Sequence, residues 1–125
     1  MSHWSTTQTQ FKDLATLKLA AKELGLEWSD VTEASMGYRT FTGAIGVLSN
    51  GSNVSIPVTM DGNGSLLLHA DWYGGATARI VGREFSKLRQ LYGVHAVEIK
   101  ARQRGLTTRR TTVGSKINIE IGGVR

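Results

Sequence analysis

An α+β fold is what this sequence predicts, on three observations. Helical periodicity of apolar residues occurs at two separated places, 13–24 and 79–92. Between them lies a run of short β-favouring segments punctuated by Asn50-Gly51 and Asp61-Gly62-Asn63-Gly64. After the second helix, two more strand-like segments flank Gly114-Ser115. Elements segregated in this way, with short connections, favour an antiparallel sheet of five or six strands packed on two or three helices and closed by a C-terminal hairpin. At 125 residues the chain is expected to form a single domain, 1–125. The alternative architecture is a β-barrel-like sheet crossed by one helix.

Residues 3–10 are polar and Thr-rich and read as a strand or extended arm. In 13–24, Leu14, Leu17, Ala21 and Leu24 make one apolar stripe, Asp13 suits the first turn and Gly25 the position past the end. Residues 26–35 read as a connection anchored by Trp28. Strands are then expected at 36–41, 44–49, 53–60 and 65–72, with Asn50-Gly51 favouring a two-residue turn. In the last of these, Leu66, Leu68, Ala70 and Trp72 share one face, and Leu67, His69 and Asp71 the other. The 79–92 helix places Val81, Phe85, Leu88 and Tyr92 inward, with Thr77 as N-cap and Gly93 as its stop. Residues 94–104 fit helix and strand alike: Val94, Val97 and Ala101 are spaced for one, His95, Val97 and Ile99 for the other. Segments 106–113 and 116–121 read as a hairpin that sets Arg109 opposite Glu120 and puts Arg110 on the face of Ile117, Ile119 and Ile121.

Composition narrows the chemistry. With no cysteine there are no disulfides, thiolate metal sites or cysteine nucleophiles. No segment approaches the ~20 apolar residues of a membrane span, and the first residues lack a secretory pattern, so a cytoplasmic protein without membrane association is expected. No phosphate-loop or dinucleotide-binding glycine pattern occurs, and no cofactor is expected.

Charge is the strongest functional signal. Residues 79–125 hold eleven Lys and Arg against three acids, whereas residues 1–78 hold four against seven. A one-sided cationic surface collects polyanions without base-specific chemistry. The predicted contacts are Lys100, Arg102, Arg104, Arg109, Arg110 and Lys116, extended by Arg79, Arg83 and Lys87 on one helix face. The leading expectation is therefore a small non-enzymatic binding protein that meets DNA or RNA through its phosphates. The alternative is an adaptor or assembly subunit that binds an acidic protein partner or self-associates as a homo-oligomer.

Catalysis has only a thin basis. His3, His69, Asp71 and His95 are the one set of groups able to ligate a metal or move a proton, and they are scattered. A metal-dependent activity at His3, Asp71 and His95 requires the arm and 94–104 both to return to the 65–72 strand. Trp4, Trp28, Tyr38, Phe41, Trp72 and Tyr73 could stack bases but are expected mainly in the core.

The opening Met1-Ser2-His3-Trp4, a helix ending at Leu24-Gly25, Gly37-Tyr38, Ala70-Asp71-Trp72, Leu91-Tyr92-Gly93-Val94-His95 and the Ala101-to-Gly105 run together resemble a small open-reading-frame family. That family, a ycf-type domain of unknown function, occurs in algal chloroplasts and cyanobacteria, with relatives in other bacteria and phages. The resemblance implies a small α+β domain in which 94–104 is helical, located in host cytoplasm if phage-encoded or in stroma if plastid-encoded. It implies no activity. The chain departs from the family pattern at Gly93-Val94 and at Arg109-Arg110, where relatives carry Tyr-Ala-Tyr-His and an acidic segment.

Overall fold

A computed structural model describes residues 5–7, 11–36 and 39–123. Within them the chain forms a single α+β domain. The main sheet is antiparallel and five-stranded. Its strands are β1 (Ser5–Thr7), β2 (Glu27–Ser29), β5 (Gly46–Ser49), β6 (Ser55–Met60) and β7 (Leu66–Ala70), in the spatial order β1-β7-β6-β5-β2. Two separate hairpins, β3 (Glu33–Met36) with β4 (Arg39–Thr42) and β8 (Thr107–Val113) with β9 (Lys116–Gly122), flank it. The helices are α1 (Leu14–Glu23), α2 (Ala76–Val81) and α3 (Ser86–Gln103).

The helices and the sheet share one core. Leu17, Ala20 and Ala21 of α1 and Leu88 and Leu91 of α3 pack with Ile56, Val58, Leu66, Leu68 and Ala70. The alternation expected of β7 is observed: Leu66, Leu68 and Ala70 are fully buried beneath the helices, and His69 looks to the other face. That second face is covered by β3–β4, where Ala34 and Phe41 meet Val47 and Ala44. The Phe41 and His69 rings lie 4.5 Å apart.

Both long helices end alike. The N–H of Leu26 donates to Ala21 O and the N–H of Leu106 to Ala101 O, with Gly25 and Gly105 at φ +84° and +75°. A left-handed glycine followed by a returning apolar residue is how a helix satisfies its last carbonyls and turns back to the core. Tyr92 ties the helices together: its hydroxyl accepts the backbone N–H of Lys12 (3.0 Å) and of Asp13 (2.9 Å) at the start of α1.

Several elements differ from the expectation. The 79–92 helix is two helices. Gly82 breaks it at φ 82°, ψ 165°, and Glu84 and Phe85 are left-handed before α3 begins. The apolar spacing survives because Val81 and Phe85 reach the same core from either side of the turn. Thr77 is not an N-cap; buried, it donates its hydroxyl to Asp71 O at 3.0 Å. Gly93 does not stop the helix, since Val94, Glu98 and Ala101 continue the buried stripe and Gly105 ends it. Residues 94–103 are therefore helical. Residues 26–35 contain β2 and the start of β3, and the 36–41 segment belongs to the β3–β4 hairpin, whose residues 37–38 lie outside the described residues. Asn50-Gly51 opens a five-residue connection rather than a two-residue turn, because the Asn50 side chain accepts the N–H groups of Ser52 and Val54.

Candidate nucleic-acid interface

Helix α2, helix α3 and the β8–β9 hairpin form the cationic end of the chain, and an internal charge cluster ties the hairpin to α3 and α1. The hairpin register is the expected one: Arg109 faces Glu120 and Arg110 faces Ile119. On that inner face the Arg110 guanidinium reaches two carboxylates. Its Nε and Nη2 donate to Glu98 of α3 at 2.7 and 2.9 Å, and its Nη1 and Nη2 donate to Glu23 of α1 at 3.0 and 2.9 Å. His95 Nε2 completes the cluster against Glu23. Arg110 hydrogen bonding, opposed by burial, holds both Glu23 and Glu98 below the usual glutamate range, and the two carboxylates in turn raise Arg110 further into its charged form.

Arg110 was expected on phosphates; its planar fork is instead occupied by protein carboxylates. Of the two acids the sequence reading did not single out, Glu23 lies in the other half of the chain, 87 residues away, and no local pattern connects it to Arg110. Glu98 lay in the ambiguous segment, where only a helical reading turns it toward the core. Arg109 pairs with Glu120 at 2.7 Å on the hairpin's outer face, in full solvent.

The remaining predicted contacts are free of acids. Arg79, Arg83, Lys87, Lys100, Arg102, Arg104 and Lys116 are all exposed, and none has a carboxylate within 4 Å among the described residues. Exposed Arg89, which the reading had left out of the set, has the same standing. Arg79, Arg83 and Lys87 do not share one helix face, since the break at Gly82 puts them on α2, on the turn and on α3. Lys87 Nζ folds back to Arg79 O at 3.4 Å.

Removing the internal pairs sharpens the charge. Glu98 and Glu120 are engaged by Arg110 and Arg109, so eight exposed cations of the described module face one unpaired acid, Glu84. Beside them runs a shallow groove of about 150 Å³, floored by Val97, Ala101, Leu106 and Ile121 and edged by Lys100 and Arg104.

The histidine and carboxylate set does not assemble within the described residues. His69 is buried on the sheet face away from the helices, bonded to Thr59 Oγ1 at 2.8 Å, and burial lowers its pKa. The Asp71 carboxylate accepts the N–H of Tyr73 at 3.0 Å. His95 belongs to the Glu23 cluster on the helical side. His3 lies outside the described residues, as do Trp4 and Tyr38. No group of three or more His, Asp or Glu among the described residues is placed to hold a metal ion. Of the other aromatic residues of this end, Trp72 packs edge-on to Phe85 at 5.0 Å and Tyr92 to Phe11 at 4.9 Å, whereas Tyr73, expected mainly in the core, is 66% exposed.

Among the described residues no helix is long and apolar enough to cross a membrane. Of the motifs behind the family resemblance, Met1-Ser2-His3-Trp4 and Gly37-Tyr38 lie outside the described residues, and Leu91-to-His95 runs through the middle of α3. The chain matches no family model, no curated protein and no solved structure.

Proposed function

We propose that this protein is a non-enzymatic binding protein whose α2–α3–hairpin module contacts the phosphates of nucleic acid. One observation carries the reading: the module's acids are paired internally or outnumbered, leaving eight exposed cations against Glu84. Lys100, Arg102, Arg104 and Lys116 are the principal phosphate ligands, with Arg79, Arg83, Lys87 and Arg89 extending the footprint. Threonines on the hairpin's outer face, Thr107 and Thr111, add hydroxyl donors. Arg110 is not among the ligands; it holds the hairpin against the helices that carry them.

Binding of this kind is largely independent of sequence and weakens linearly in log–log salt plots. Fluorescence anisotropy with labelled DNA and RNA, titrated across salt, tests it. Affinity that collapses with rising salt is expected; absence of binding at low salt removes the reading.

A second reading has its own observation. The groove between α3 and β9 leaves Val97 and Ile121 41% and 53% exposed beside Lys100 and Arg104. An acidic protein segment with one bulky apolar side chain matches both its floor and its rim. A complex that survives nuclease and high salt favours this adaptor reading over the first, and light scattering separates it from self-association.

A further inference from the structure

We propose that α3 is a groove-reading helix: its outer face enters the major groove of duplex DNA, and the C-terminal hairpin flanks it along the phosphate backbone. This rests on the nucleic-acid reading above and narrows it to one form of nucleic acid and one element.

The connection between α2 and α3 is built for a fixed helix pair. Four residues, Gly82 to Phe85, separate them. Gly82 has φ 82° and ψ 165°, a conformation essentially confined to glycine, and a Cβ there would lie 2.4 Å from Ser86 Oγ and 2.6 Å from Lys87 N. Phe85, itself left-handed, is fully buried edge-on to Trp72. A short glycine-containing turn with an apolar anchor is how two successive helices are locked so that the second is presented to DNA.

The outer face of α3 has the chemistry of a groove-facing surface. Arg89, Gly93, Ala96, Lys100 and Arg104 recur at steps of four, three, four and four, so they share one side, and all five are exposed. The other sides are occupied by the core, by α1 through His95 and Glu23, and by the hairpin through Glu98 and Arg110 and through Gln90 and Ser115 O at 2.8 Å. The one carboxylate of α3, Glu98, is turned inward and only 8% exposed. The outward face is therefore cationic at both ends, uncharged between, and narrow at its centre. Gly93 and Ala96 let the backbone come close to base edges while Arg89, Lys100 and Arg104 reach guanines or phosphates. At 18 residues α3 is roughly 27 Å long, and a helix of about 10–12 Å diameter fits a B-form major groove about 12 Å wide.

Single strands and RNA duplexes fit less well. Single-strand binders offer rows of exposed aromatic rings, whereas Phe85, Trp72 and Tyr92 pack internally here and Tyr73 is a single exposed ring rather than a row at this end of the described residues. The A-form major groove is too deep and narrow for a helix.

The test uses the full chain and fluorescence anisotropy with a mixed-sequence DNA duplex of about two helical turns, the same sequence as an RNA duplex, and its single strand. The expected result is roughly tenfold or greater preference for the DNA duplex at matched salt. Ala96→Glu is compared with Arg79→Glu, which changes more charge but lies off the outer face. Insertion of α3 makes Ala96→Glu the more damaging to DNA-duplex binding, with thermal unfolding unchanged. Should Ala96→Glu fail to fold, Arg89→Ala replaces it and is expected to reduce DNA-duplex binding more than RNA-duplex binding. Equal affinity for the two duplexes, or a greater loss from Arg79→Glu, overturns the placement of α3 while leaving phosphate binding intact. No binding to any of the three probes overturns both readings.

Discussion

Arg110 shows how one side chain can serve the fold and shape the surface together. By turning Glu98 and Glu23 inward it removes two negative charges from the neighbourhood of the exposed cations and fastens β8 to α1 and α3. Exposed pairs contribute ~1 kcal/mol or less and breaking buried ones costs about 3–5 kcal/mol, so this half-buried cluster lies between. Arg110→Met is expected to lower stability by about 1–3 kcal/mol in urea unfolding at neutral pH, leaving Glu98 without its partner. Gly46 is a second sensitive position. A Cβ there would sit 2.0 Å from the Trp28 ring, which is held by a 2.7 Å bond from Nε1 to Asp30 and lies under Lys18. Gly46→Ala must displace that ring and is expected to cost about 1–3 kcal/mol by the same measurement. A change below ~0.5 kcal/mol would show that the indole moves freely.

At the scale of elements, the hairpin is joined to the helices by a few polar bridges and by limited apolar packing. Gln90 holds the Ser115 turn, the Arg110 cluster holds the middle, and Ile117 is the isoleucine that reaches the core. The hairpin is therefore expected to be the first region to exchange its amide hydrogens, ahead of β6 and β7, which lie inside the sheet. Slower exchange in the hairpin than in β6 would contradict this. Helix α3 is fastened to the start of α1 by the Tyr92 hydroxyl, which accepts two backbone N–H groups. Tyr92→Phe keeps the ring against Phe11 and removes both bonds, so a loss of about 1 kcal/mol is expected, read as a lower denaturation midpoint with unchanged slope.

For the whole molecule, pH should act in two windows. His69 has a lowered pKa because burial disfavours its cation, so the unfolded chain binds that proton more readily. Its contribution is full above the unfolded value of about 6.5 and is lost as pH falls through the folded value. Glu23 and Glu98 are also lowered, chiefly by Arg110, so their contribution is present above about pH 4.3 and lost as pH falls through their folded values. Arg110→Met should flatten the second window and leave the first, which urea midpoints measured from pH 8 to pH 3 would reveal. A second window unchanged by Arg110→Met would mean that the cluster does not form in solution.

The sequence by itself determined the fold class, α1 with its Gly25 stop, the two faces of β7, the C-terminal hairpin with Arg109 opposite Glu120, and the cationic bias of residues 79–125. Each rests on local periodicity, on turn glycines or on charge counted along the chain, and none needs a distant partner. The tertiary structure decided the rest. That 79–92 is broken follows from Gly82 adopting a conformation reserved for glycine, while Val81 and Phe85 on either side of it still share a core, so spacing alone could not reveal the break. That 94–103 is helical follows from the buried stripe of Val94, Glu98 and Ala101 against the hairpin and α1. The Arg110 guanidinium is occupied because Glu23, 87 residues away, and Glu98 converge on it only once α1, α3 and β8 are packed. A long-range ion pair is a property of packed elements, and residue spacing holds no record of it.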